Sequence, residues 1–122
     1  MTIIICLVGT HFRRPFDGIR YWSRRQGITR LYLLYSSAED ETAIFSYMSK
    51  RNAESLKERL EIMDPIMVGY DPMSHRDAFR TIYGILEQSR GDREEVLIDI
   101  TSTTNLTQGI ALTIALMFRN AR

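Results

Sequence analysis

Two short segments of the 122-residue sequence hold side chains suited to chemistry more than to packing. The first is Gly9-Thr10-His11-Phe12-Arg13-Arg14; the second is Thr101-Ser102-Thr103-Thr104-Asn105, with Asp99 two residues ahead of it. Four hydroxyls and one amide make the second a set of short donors. At a helix start, free backbone N–H groups and the helix dipole favour an anion beside them. A phosphate or phosphodiester fits. Capping by Thr103 or Thr104 is the plainer reading, although one cap uses one hydroxyl. Arg13 and Arg14 could clamp phosphates bidentately or stand as solvated charges. His11 could move a proton or donate to a phosphate, but a lone loop histidine is commonly a surface residue, and His75 lies far along the chain. Asp99 interrupts an apolar strand and needs partners, either the donors of Thr101 to Thr104 or a ribose hydroxyl.

The elements that must position these segments follow from periodicity. Continuous apolar runs at Ile3–Val8, Leu31–Tyr35, Ile66–Tyr70 and Val96–Ile100 read as strands buried on both faces. Between them lie helical patterns. Phe16, Ile19 and Trp22, with Tyr21, follow Pro15. Ile44, Met48, Leu56 and Leu60 follow a Ser37 cap with Glu39, Asp40 and Glu41 in the first turn. Ala78, Phe79, Ile82, Ile85 and Leu86 follow a Ser74 cap. The run from Leu106 to Phe118 is apolar on all sides, so it needs cover on more than one. Strict β/α alternation predicts one α/β domain over residues 1–122, a three-layer Rossmann-like sandwich with a parallel sheet of order 3-2-1-4. Ligands of such sheets sit beyond the carboxyl ends of the strands, where the strand order reverses. That crevice, between strands one and four, is lined by the two segments above.

Composition narrows the classes. Hydrophobic residues at 44% and charged residues at 25% exclude disorder and fibrous repeats. The single cysteine, Cys6, excludes a disulfide framework. No run is long enough to span a membrane and no basic leader precedes the first strand, so a cytoplasmic location is expected, with no membrane partner. The net charge of +1 is uneven: residues 1–35 carry six arginines against Asp17 alone. An anionic ligand near this third is plausible; a polyanion wrapped around the whole domain is not. No Gly-x-Gly-x-x-Gly, Walker lysine, Gly-x-Ser-x-Gly elbow or metal-ligand spacing is present, so neither a cofactor nor a metal is expected.

Val96 to Phe118 resembles the second motif of CARF domains, the CRISPR-associated Rossmann fold, whose pattern is Asp-x-Thr/Ser-Gly-Gly-Thr-Lys-x-Met. Asp99, Thr101 and Thr104 match. Ser102 and Thr103 replace the glycine pair, Asn105 replaces the lysine and Thr107 the methionine. Gly9-Thr10-His11 holds the place of the first motif. The resemblance implies a homodimer that binds a cyclic oligoadenylate or related nucleotide across its twofold axis through Gly9, Thr10, His11, Arg13, Arg14, Asp99 and Thr101 to Asn105. It also implies that this chain is the N-terminal part of a longer protein with a fused effector. Archaeal winged-helix regulators are the most similar in pattern, so any DNA contact and transcription regulation in CRISPR defence would come through the fused part. Asn105 in place of the lysine removes a positive charge and counts against ring-nuclease activity; metal-independent cleavage of the cyclic oligoadenylate is the alternative, and no catalytic residue is assigned. A ligand-free dimerisation module is the third reading.

Overall fold

The computed structural model describes residues 2–37, 43–60, 64–71, 74–92, 94–100, 109 and 111–114. The elements run β1 (Thr2–Val8), α1 (Arg13–Arg25), β2 (Ile28–Ser36), α2 (Ala43–Arg59), β3 (Ile66–Tyr70), α3 (His75–Asp92) and β4 (Glu95–Asp99), and residues 109 and 111–114 are helical. The sheet order is β3-β2-β1-β4 with every pairing parallel, as the alternation predicts.

β1 is one of the two inner strands, and all seven of its residues are buried. Its side chains alternate between two cores. Ile3, Ile5 and Leu7 join Ala78, Ile82 and Leu86 of α3, with Ala111 and Ile114, on one face. Ile4, Cys6 and Val8 meet Ile19 of α1, Ala53 and Leu56 of α2, and Leu60 just past its end on the other. Each buried aliphatic side chain contributes about 1.5–3 kcal/mol relative to exposure, and burial on both faces is why the run shows no polar alternation.

Three helical expectations are refined, at Met48, Phe79 and Tyr21. On α2, Met48 is 41% exposed, and the inward row is Ser46, Ser49, Ala53, Leu56 and Leu60, at 3-4-3-4 spacing. Phe79 stacks on Tyr83 at the surface of α3 instead of entering the core, and Tyr21 of α1 is exposed. Ser74 caps α3 as expected, its Oγ accepting from the Asp77 N–H at 3.1 Å. Leu112 is 56% exposed, in keeping with a last helix apolar on more than one side. The cap expected at 37–41 and residues Leu116 and Phe118 lie outside the described residues, Ser37 excepted; its N–H donates to the Tyr70 carbonyl.

Candidate ligand site at the carboxyl edge of the sheet

β1 delivers the first segment to the carboxyl edge, and α2 fixes its exit. The Ser49 hydroxyl donates to the Val8 carbonyl at 2.6 Å and accepts the Ser36 N–H at 2.9 Å. Asn52 Nδ2 donates to the Gly9 carbonyl at 2.9 Å, and the Ser36 and Ser46 hydroxyls share a further hydrogen bond. Carbonyl and N–H groups left over where the ladders of β1 and β2 end are thus satisfied by α2 side chains. Gly9 is buried, and the chain then surfaces at Thr10 and His11.

α1 begins against local preference. Its cap position is Phe12, with no side-chain hydrogen bond to the first turn, and that turn holds no acid. Arg13 and Arg14, both exposed, place two cations at the positive end of the helix dipole. Such placement costs about 0.3–1 kcal/mol per charge, and an anion bound there reverses the sign.

Asp99 ends β4 directly opposite Cys6 of β1. Its Oδ2 lies 4.0 Å from the Cys6 Sγ, within reach of a weak S–H donor. Burial, reinforced by the Asp99 charge, pushes the Cys6 thiol well above its usual range, so the sulfur keeps its proton and is no nucleophile. On the helix side the carboxylate lies against Gly18, where a Cβ would come within 3.2 Å of Oδ2. A glycine in mid-helix, unfavourable for α1 by itself, gives that carboxylate room.

Between α1 and β4 opens a cleft of about 810 Å³. Its walls are apolar (Ile4, Ile19, Trp22, Leu97), and Arg14, Asp17 and Asp99 supply its charges. The structure therefore brings Arg14 and Asp99 to one cleft, with Gly9, Thr10, His11 and Arg13 on the loop and first turn above it. Thr101, Ser102, Thr103, Thr104 and Asn105 lie outside the described residues. Sequence reasoning named Trp22 only as a helix-face residue and Asp17 only in the charge balance, and did not single out Gly18, Ser49 or Asn52. Gly18 inside a helical pattern, and serines in phase with Leu56 and Leu60, were the available signals. Among the described residues, no group of three or more metal-ligating side chains occurs, and no helix is long and apolar enough to cross a membrane.

The strand order and the helices on both faces define a Rossmann-like α/β domain. No family model matches the chain, and no curated protein matches it significantly in sequence. A solved structure similar to it is that of Can2 from Sulfobacillus thermosulfidooxidans in complex with cyclic tetra-adenylate. The likeness has a TM-score of 0.66 at 16% identity and covers 96% of this chain. This chain spans 30% of the length of that one. At such identity the likeness establishes the fold.

Proposed function

We propose that this domain is a CARF-type sensor that binds a cyclic oligoadenylate at the carboxyl edge of its sheet. The observation that carries the reading is that almost the whole chain shares its fold with a protein whose structure contains cyclic tetra-adenylate. The Asp99–Thr104 sequence pattern supports it, as does a helix start whose two arginines lack a local structural purpose. Arg13 and Arg14 bind ligand phosphates, and Gly9 to His11 with Thr101 to Asn105 supply short donors around them. A cyclic ligand with internal symmetry calls for two copies of the site, hence a homodimer related by a twofold axis. β4 pairs only with β1 among the described residues and carries an apolar edge, which suits a domain continued by further chain and coupled to a fused effector.

Isothermal titration of the full chain with cyclic tetra-adenylate, cyclic hexa-adenylate and linear tetra-adenylate tests the reading. Saturable binding of a cyclic form at one ligand per two chains is expected, weakened by Arg13→Gln/Arg14→Gln. Equal binding of linear and cyclic forms, or none, overturns it. Chromatography of the ligand after incubation distinguishes sensing from cleavage.

A further inference from the structure

We propose that the outer face of α1, through Arg20, Arg24 and Arg25, binds the phosphodiester backbone of single-stranded nucleic acid. This surface adjoins the cleft of the cyclic-nucleotide site at Asp17, but its three cations lie outside that cleft. α1 starts at the carboxyl edge and runs back toward the start of β2, so Arg24 lies ten residues, about 15 Å, from Arg14 along the helix axis. The face is a groove of about 470 Å³ formed by Asp17, Arg20, Tyr21, Arg24 and Arg25. All three guanidinium groups are exposed, and none forms an ion pair among the described residues. Arg30, by contrast, is paired with Glu94 at 3.4 Å.

Two of the three cations are held in place without being neutralised. The Arg25 guanidinium lies 4.3 Å over the Tyr21 ring, and that of Arg20 lies 5.4 Å over Phe16. A guanidinium within about 6 Å of a ring centroid is attracted to the ring without losing its charge, so its N–H donors stay available to a phosphate. Favourable placement near the negative helix end accounts for Arg24 and Arg25, worth about 0.3–1 kcal/mol each. It does not account for Arg20, or for Tyr21 standing 49% exposed among cations.

Charge complementarity selects the occupant. A second copy of this chain has no matching acidic face among its described helices, since the exposed faces of α2 and α3 mix bases with acids such as Lys50 with Glu54 and Arg80 with Glu87. α1 is seated on the sheet through Pro15 and Ile19, so its outer half, which carries Arg20, Arg24 and Arg25, is the half open to a strand. A flexible strand can lie along that half, and a base can stack on the outer plane of the Arg25 guanidinium.

Fluorescence anisotropy of the full chain with a labelled oligothymidylate tests this. Three neutralised phosphates give a slope of about −2 in log affinity against log salt, a loss of about 20-fold between 50 and 200 mM. Arg20→Gln/Arg24→Gln/Arg25→Gln is expected to abolish that salt-dependent binding, and Asp17→Asn to tighten it by removing the one carboxylate on the face. The matching Arg→Lys triple variant keeps the slope, which separates lost charge from lost folding. Unchanged affinity in the Gln variant, equal competition by polyglutamate, tighter binding of a duplex, or an oligomeric state that shifts with the Gln variant would each overturn the proposal. Cyclic tetra-adenylate binding is expected to be unaffected by these three positions, so the two readings fail separately.

Discussion

Ser49→Ala isolates the seam that joins α2 to the carboxyl ends of the strands. Ser49 is fully buried, and its one oxygen serves two backbone groups: it donates to the Val8 carbonyl at 2.6 Å and accepts the Ser36 N–H at 2.9 Å. Alanine keeps the backbone and nearly the same volume, so no cavity of consequence forms and packing against β1 survives. What is lost is the partner of a donor and an acceptor in a dry interior. Each such group costs about 1–3 kcal/mol when orphaned. Partial relief through the neighbouring Ser46 hydroxyl, already bonded to Ser36, argues for the lower half, about 2–3 kcal/mol in all. For a domain of this size that is a drop of roughly 8–12 °C in Tm.

Urea unfolding followed by circular dichroism measures the loss, with an unchanged m-value showing that the unfolded state is not responsible. Ser23→Ala is the control. Its hydroxyl donates to the Arg20 carbonyl at an exposed site on α1, and its removal should shift stability by less than about 0.5 kcal/mol. A Ser49→Ala loss below about 1 kcal/mol, or one no larger than the control, would refute the claim that this hydroxyl anchors the β1 exit.

Three further outcomes are expected. Arg13→Glu/Arg14→Glu should raise the stability of the free protein by about 1–2 kcal/mol, because two cations at a helix start are replaced by acids, while abolishing anion binding; a destabilised variant in thermal melts contradicts the electrostatic account. Gly84→Ala, with nothing within 4 Å of the added Cβ, should gain about 1 kcal/mol, whereas Gly18→Ala should gain nothing unless Asp99→Ala is added, and urea titration of the four variants decides the matter. The raised Cys6 thiol holds its proton more tightly in the folded state, so its contribution is undiminished below the unfolded value of about 8.5 and declines as pH rises from there toward the folded value. Unfolding free energies from pH 7 to 10 should fall more steeply for the natural chain than for Cys6→Ala.

The sheet was legible because it obeys one rule. A strand covered on both faces must be apolar throughout, and β1, with all seven residues buried, reads that way without reference to its neighbours. Parallel order followed from helices between every pair of strands. The inward row of α2 was illegible for the complementary reason. Periodicity counts apolar residues, but half of that row faces the strand ends, where backbone groups need hydroxyls, so Ser46 and Ser49 hold positions where Met48 was expected. Phe79 and Tyr21 show the same limit from the other side, since their size marks them as core while their faces stack on a surface ring or cation. At the site, Arg14 and Asp99 were named from type and position in the chain. Gly18, Asp17 and Trp22 became visible as site residues only when α1 was laid beside β4.

α1 is where local and global demands diverge, and the divergence has a pattern. A helix selected only for stability would carry a capping side chain, acids in its first turn and alanine in its middle. α1 has Phe12 at its cap, Arg13 and Arg14 in its first turn and Gly18 beside a carboxylate. Proteins otherwise consistent across levels tend to break local rules at functional positions. These three departures are not scattered. They lie on the half of α1 that borders the cleft with β4, at the carboxyl edge where the strand order reverses. The last turn, by contrast, follows local preference, with Arg24 and Arg25 at the negative end of the helix dipole. The cost of the first half therefore points to a ligand that repays it electrostatically. An anion at Arg13 and Arg14 turns two unfavourable charges into favourable ones, and it does so only where the topology already opens a crevice.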